Sequence, residues 1–222
     1  MLDTIIHGVD VSYVQGEEVD WAAAKESEYV DFVFSRASYG ANPANDDGTS
    51  FAYDHDRCKA VGLPFGAYHF WIATDDAGAQ ATTFLAAVDG RQGTLCPMID
   101  VEEESLTGGG ANMSLNEKIS RLADFLARIR TAFGCTPIIY TNADTWDYSF
   151  SGSADFSGHP LWVASYGTPP GKPIMPQGWR DWTLHQYTGH GQIPGIGLGS
   201  NPIDCSILRP GLDFSALRQK SS

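Results

Sequence analysis

The feature that most narrows the folds open to this chain is a repeated alternation. Short β-branched and aromatic runs are each followed by a stretch with helical spacing. Segments 5–11, 30–36, 65–71 and 95–101 read as strands, and 21–28, 51–61 and 75–88 read as helices between them. The best-defined helix opens at Ser114. Ser114 and Glu117 form a Ser-x-x-Glu capping box. Leu115, Ile119, Leu122, Leu126, Ile129 and Phe133 then line one apolar face, and Gly134 supplies the stop. Residues 137–140 follow as a strand. Beyond them the helical signals fade, and 161–164, 182–187 and 203–205 read as strands joined by Pro/Gly-rich loops. Alternating strands and helices predict a mainly parallel sheet with right-handed crossovers. About eight strands suggest closure. The expected fold class is therefore α/β: a single irregular (β/α) barrel with fewer helices than a regular TIM barrel. Gly108-Gly109-Gly110 reads as a flexible loop rather than a domain boundary.

Composition excludes several classes. The formal charge of −13 argues against a phosphate-backbone partner, so no nucleic acid is expected. No run approaches the roughly 20 apolar residues that span a bilayer, so no membrane insertion is expected. The N-terminal segment Met1-Leu2-Asp3-Thr4-Ile5-Ile6 has neither a basic nor an apolar signal region. Synthesis in the cytoplasm without a signal peptide is the corresponding expectation. Cys58, Cys96, Cys135 and Cys205 are widely separated and form no CxxC pair, which suggests buried thiols. A disulfide stays open on spacing alone.

In a parallel barrel, chemistry gathers at the carboxyl ends of the strands. Four carboxylates close apolar runs there: Asp10, Asp100, Glu102 and Asp204. Burying a carboxylate without partners costs several kcal/mol, so an Asp inside such a run needs a reason. Asp100 and Glu102 are the sharpest pair. Residues i and i+2 of a strand face the same side, with Cα atoms roughly 6.6 Å apart. Two acids that close push the pKa of one upward, which lets one donate a proton while the other stays charged. Cleavage of a glycosidic bond needs that division. The structural alternative is that the pair caps a following helix or opens a solvated acidic loop, to which Glu103 and Glu104 would belong.

Aromatic residues crowd the strand segments. Sugar rings stack on aromatic faces, and Tyr140, Tyr166 and Trp71 lie where strands end. Any one of them could equally belong to the core. Arg36 closes the second strand and could contact substrate or pair with a carboxylate. His69 and His185 read as hydrogen-bonded core residues. The chain has no Gly-x-Ser-x-Gly elbow and no dinucleotide or P-loop fingerprint. Neither His pairs nor a calcium loop accompanies the acids, so no metal and no cofactor is expected. A non-catalytic sugar-binding barrel and a metal-dependent hydrolase are the competing readings.

Several segments together carry a family resemblance. Gly8-Val9-Asp10-Val11-Ser12-Tyr13-Val14-Gln15-Gly16, Val19-Asp20-Trp21, Gly66-Ala67-Tyr68-His69-Phe70, Asp100-Val101-Glu102, His185-Gln186-Tyr187-Thr188 and Ile203-Asp204 occur in order and with fitting spacing. The chain resembles glycoside hydrolase family 25, the Chalaropsis-type lysozymes of bacteria and bacteriophages. It departs from the family's habit at Asp204-Cys205-Ser206 and within Phe34–Gly40. The resemblance implies a lysozyme, an N-acetylmuramidase acting on the glycan strands of bacterial peptidoglycan. It implies Glu102 as general acid, Asp100 as nucleophile or as orienter of the substrate's N-acetyl group, and Asp10 and Asp204 lining the site. Tyr68, Tyr140 and Tyr166 would contact the sugar. It also implies a catalytic domain over 1–215, a short polar tail at 216–222, no wall-binding module and a monomer. A phage endolysin that reaches the wall after release is the expected role.

Overall fold

The computed structural model describes residues 5–16, 19–45, 49–106, 112–150, 155–196 and 202–218. The expected Gly108–Gly110 loop lies outside them. Eight strands close into a barrel in chain order: β1 (His7–Val11), β2 (Phe32–Tyr39), β3 (Phe65–Phe70), β4 (Met98–Asp100), β5 (Ile138–Asn142), β6 (Leu161–Ala164), β7 (Leu184–Gly191) and β8 (Ile203–Leu208). Neighbours from β1 to β7 run parallel. The last strand, β8, is antiparallel to both β7 and β1 and closes the ring between them.

Among the described residues, six α-helices pack outside: α1 (Trp21–Glu26), α2 (Thr49–Val61), α3 (Ala77–Ala87), α4 (Glu103–Leu106), α5 (Leu115–Phe133) and α6 (Ala143–Phe150). The connections into β7 and β8 carry no α-helix among the described residues. The barrel is therefore irregular, with fewer helices than strands, as the fading periodicity implies. Local chemistry sets the helix ends. Asp20 and Asp76 cap α1 and α3 through their carboxylates. The Ser114–Glu117 capping box opens α5, and Gly134, in the left-handed region at φ 68°, ends it. Helix α6 corrects the expectation that helices stop after Tyr140. Asn142 ends β5 and also caps α6, its Oδ1 accepting from the Thr145 amide at 2.8 Å. Eight residues are too few for periodicity to reveal such a helix.

Two apolar layers hold the barrel. Outside, Val9, Val33, Ala67, Ile99 and Ile139 meet helix residues such as Phe51, Phe84, Leu122 and Phe125. Inside, Phe32, Phe34, Met98, Ile138, Trp162, Leu184 and Leu208 plug the lumen. The plug depends on two glycines. A Cβ at Gly8 would stand 2.0 Å from the Phe32 ring, and one at Gly66 would stand 2.3 Å from the Phe34 ring. Both rings therefore lie over strand positions that carry no side chain. All four cysteines are buried free thiols. No helix of the described residues is long and apolar enough to cross a membrane.

Gly66→Ala is expected to lower stability by about 1–3 kcal/mol through overpacking of this plug. Gly158→Ala, whose Cβ meets nothing within 4 Å, should stay within about 0.5 kcal/mol of the parent. Urea unfolding of both variants measures the difference, and equal midpoints would contradict the packing argument.

Candidate active site

The lumen changes character within one strand step. Inward positions alternate, so on six strands an inward position at the plug is followed two residues later by a side chain at the mouth. Gly8 precedes Asp10, Phe34 precedes Arg36, and Gly66 precedes Tyr68. Met98 precedes Asp100, Ile138 precedes Tyr140, and Leu184 precedes Gln186. The strand register brings these neighbours side by side, with Asp100 opposite Tyr140 and Arg36 opposite Tyr68.

Asp204 reaches the same mouth by another route, which corrects the expectation that it closes a run. It is the second residue of β8 and opens the strand. Because β8 is antiparallel, its start lies at the rim where the other strands end, and Asp204 sits opposite Asp10 in the β1–β8 register. Gly189 makes the room: a Cβ there would lie 2.9 Å from Asp204 Oδ1.

Glu102 stands just beyond β4. The Val101 amide still donates to Tyr140 O at 2.9 Å, but the Glu102 amide donates to Ser105 Oγ at 2.9 Å. The chain thus turns into α4 at Glu102, and the strand ends earlier than expected. Glu103 and Glu104 are exposed, as read from the sequence.

Burial dominates the electrostatics. Desolvation pushes the carboxyls of Asp10, Asp100 and Glu102 above their usual range, and neighbouring acids add to it. The charges of Glu102 and Asp10 bear on Asp100, and that of Asp204 bears on Asp10. Asp204 is pushed up to about 6 by burial, against the opposing pull of the Tyr166 hydroxyl and His190. The Arg36 guanidinium works the other way on Asp100 and Glu102. Burial also raises Tyr68 and Tyr140, which keeps both hydroxyls neutral donors. Among the described residues, no three His, Cys, Asp or Glu side chains are grouped to hold one metal ion.

A glutamine missed from the sequence ties the acids together. Gln186 Nε2 donates to Asp10 Oδ2 at 2.8 Å. Gln186 Oε1 accepts from the hydroxyls of Tyr140 and Tyr166, each at 2.7 Å. The Tyr140 hydroxyl also lies within hydrogen-bonding reach of Glu102. One buried amide therefore links Asp10 to the tyrosines that bracket the acid. Its signal was the same apolar-x-polar step that marks Asp100.

The aromatic candidates divide. Tyr68 and Tyr140 are buried in the wall, so their hydroxyls, not their ring faces, address the mouth. Tyr166 is 55% exposed and offers a ring. Trp71 is corrected: strand alternation turns it away from the lumen into the outer core, where it is 0% exposed and cannot stack on a sugar. An unforeseen platform replaces it. The Arg36 guanidinium lies 4.9 Å from the Tyr13 ring centroid and 5.8 Å from that of Tyr39. Tyr39 stacks on Phe70 at 4.6 Å, and Tyr13 is 58% exposed. A β-bulge between Arg36 and Ser38 shifts the alternation by one residue. Ser38 consequently faces outward to bond His69 Nδ1 at 2.8 Å, and Tyr39 turns to the mouth. His69 is held down at about 4 by burial. His185 accepts from the Gly171 amide through Nδ1 at 3.0 Å. Both histidines are structural.

Buried and half-buried carboxyls that raise one another's pKa, neutral tyrosine donors and an aromatic rim at the mouth of an α/β barrel define the site of a glycosidase. The profile described as "Glycosyl hydrolases family 25" matches residues 9–196, and the chain belongs to that family. It is 28% identical to Lysozyme M1 of Streptomyces globisporus, over 86% of this chain and 64% of that protein. Its fold is similar to the bacterial lysozyme of Streptomyces coelicolor, with a TM-score of 0.77 and 25% identity, covering 96% of this chain and 94% of that one. It is equally similar to a family GH25 lysozyme of Aspergillus fumigatus, with a TM-score of 0.77 and 26% identity, covering 94% and 96%.

Two outcomes follow from the site's electrostatics. Carboxyls raised in the folded state bind protons that the unfolded chain releases, so they lower stability as pH rises. For Asp204 that window runs from its ordinary 3.8 to about 6, and Asp10 and Asp100 act in the same direction. The thermal midpoint should therefore be lower at pH 7.5 than at pH 5, and Asp204→Asn should shrink the difference; an unchanged difference would contradict the argument. Gln186→Leu removes the donor to Asp10 and the acceptor of both tyrosines. Its kcat is expected to fall about tenfold or more, which is about 1.4 kcal/mol in barrier, and steady-state kinetics on soluble glycan would show it.

Proposed function

We propose that this chain is a muramidase that hydrolyses the β-1,4 bond between N-acetylmuramic acid and N-acetylglucosamine, with net retention through assistance by the substrate's own acetamido group. The observation that carries the reading is Asp100 Oδ1. It is buried at the mouth beside Glu102 and has no hydrogen-bond partner. A buried carboxylate oxygen left open in this way suits an amide N–H delivered by the substrate.

Two carboxyls this close cannot both ionise freely. An acetamido N–H aimed at Asp100 favours its charged form and leaves the proton on Glu102. The acetamido carbonyl oxygen then attacks the anomeric carbon as the bond to the leaving oxygen breaks, and Glu102 protonates that oxygen. Glu102, now a carboxylate, takes a proton from water, whose oxygen attacks the same carbon and restores the acetamido group. Attack twice from opposite faces retains configuration. Tyr140, within reach of Glu102, and Arg36 moderate its proton affinity. A non-catalytic sugar-binding barrel has no comparable use for two buried and two half-buried acids at one mouth, given what their desolvation costs.

Glu102→Gln is expected to lower turnover of purified walls by about 10²–10⁴-fold while leaving the thermal midpoint intact, and parental activity in this variant would sink the assignment. Mass spectrometry of the digest should find new reducing ends on N-acetylmuramic acid. Reducing N-acetylglucosamine or freed peptides would replace the muramidase reading with another. A glycosyl adduct on Asp100 in the intact-protein mass would overturn the assisted route.

A further inference from the structure

The two tyrosine hydroxyls at the mouth have fewer protons than acceptors. Gln186 Nε2 donates to Asp10 Oδ2 at 2.8 Å, which fixes Oε1 as the end that faces Tyr140 and Tyr166. Both hydroxyls stand 2.7 Å from that oxygen. An amide oxygen accepts two hydrogen bonds, but a tyrosine hydroxyl carries one proton. Each hydroxyl also has a second acceptor. The Val101 amide donates to Tyr140 O at 2.9 Å, so the next residue, Glu102, runs beside Tyr140. Its carboxyl lies within hydrogen-bonding reach of the Tyr140 hydroxyl. On the other side, a Cβ at Gly189 would stand 3.6 Å from the Tyr166 hydroxyl and 2.9 Å from Asp204 Oδ1. The Tyr166 hydroxyl lies within reach of Asp204. Two protons thus serve three acceptors: Glu102, Gln186 Oε1 and Asp204.

Which acceptors are served depends on the charge of Glu102. A protonated carboxyl needs no donor, and both hydroxyls can point to Gln186, as they do in this structure. An ionised carboxylate attracts a hydroxyl proton more strongly than a neutral amide oxygen does. The Tyr140 hydroxyl then turns about its C–O bond to Glu102. Gln186 is buried, so leaving its Oε1 unpaired would cost free energy, and Tyr166 keeps it paired. Asp204 competes for the Tyr166 proton, but it is half-buried and can be served by water instead.

We propose that Tyr140 and Tyr166 form a paired hydroxyl switch around Gln186. Tyr140 gives its proton to Gln186 while Glu102 is protonated, and to Glu102 once that carboxyl has protonated the leaving oxygen. Tyr166 holds Gln186 throughout. No covalent bond changes in the switch, because each hydroxyl proton stays on its own oxygen. Tyr140 acts on the reacting carboxyl itself, and Tyr166 and Gln186 are positioning residues. The inference rests on the muramidase reading, in which Glu102 delivers its proton and takes one back from water. Asp10, Asp100, Glu104 and Asp204 also face Glu102 and favour its protonated form, and Arg36 opposes them. Tyr140 differs from these groups in being tied, through Gln186, to Tyr166.

The test reads Glu102 in two ways in the full chain. One is the alkaline limb of kcat against pH on soluble glycan, which follows loss of the Glu102 proton in the bound state. The other is the carbon-13 shift of the labelled Glu102 carboxyl against pH without substrate, assigned by the signal missing in Glu102→Gln. Tyr140→Phe should move both midpoints upward by roughly one pH unit and lower kcat about tenfold. Tyr166→Phe should move the midpoints in the same direction, because Tyr140 is then held on Gln186. Added to Tyr140→Phe, it should shift them no further. Phe preserves each ring, and thermal unfolding checks that both variants keep the fold. A purely electrostatic effect of Tyr166→Phe has the opposite sign: Asp204, deprived of its donor, protonates more readily and would lower the Glu102 midpoints. A downward or absent shift in Tyr166→Phe therefore overturns the proposal, as does a full additional shift in the double variant. Unmoved midpoints with wall cleavage by the parent would end the switch and leave the muramidase reading standing. Shifted carbon-13 midpoints with no reducing N-acetylmuramic acid released by the parent would do the reverse.

Discussion

The antiparallel return of β8 against β1 is the constraint on which the rest of the structure depends. It closes the barrel, which removes the open edges of the sheet. The same pairing sets Asp204 opposite Asp10. Had β8 run parallel, its opening residues would lie at the far end of the lumen, away from Asp100 and Glu102. Closure and the grouping of the acids therefore share one set of backbone hydrogen bonds.

That arrangement carries a cost which the structure confines to one layer. Beneath the acids, Phe32, Phe34 and Trp162 fill the lumen, with ring centroids of Phe34 and Trp162 at 5.0 Å. The one polar atom of that indole is satisfied by Ser206 Oγ at 3.0 Å. Above the plug, the dry surroundings make the carboxyls hold their protons to higher pH. Gln186 offsets part of the cost with a donor to Asp10 and an acceptor for two tyrosines. Asp100 Oδ1 is left open.

The rim shows how backbone irregularities assign roles to side chains. The bulge in β2 sends Ser38 to the structural histidine and Tyr39 to the mouth. The register shifts along β7, together with Gly189, leave space for Asp204. Helices α4, α5 and α6 all begin at this end of the barrel.

Much of this was legible in the chain itself. Strand and helix periodicity carried the barrel, its missing helices and the α5 caps, because those signals are local. Asp10, Asp100 and Glu102 were legible because a carboxylate amid β-branched residues is anomalous wherever it occurs. Gln186 was not, since a neutral amide in a strand is unremarkable until Asp10 and two tyrosines converge on it from other strands. Trp71 looked like a strand-end platform, but the face it occupies is set by the pleat of β3. Tyr13 and Tyr39 gained their place through Arg36 and a bulge. The sequence alone determined which segments form strands and helices and which residues are chemically out of place, because propensity and periodicity act over a few neighbours. Only the tertiary structure decided strand direction, bulge position and the partners of each buried polar group, because these depend on contacts between residues far apart in the chain.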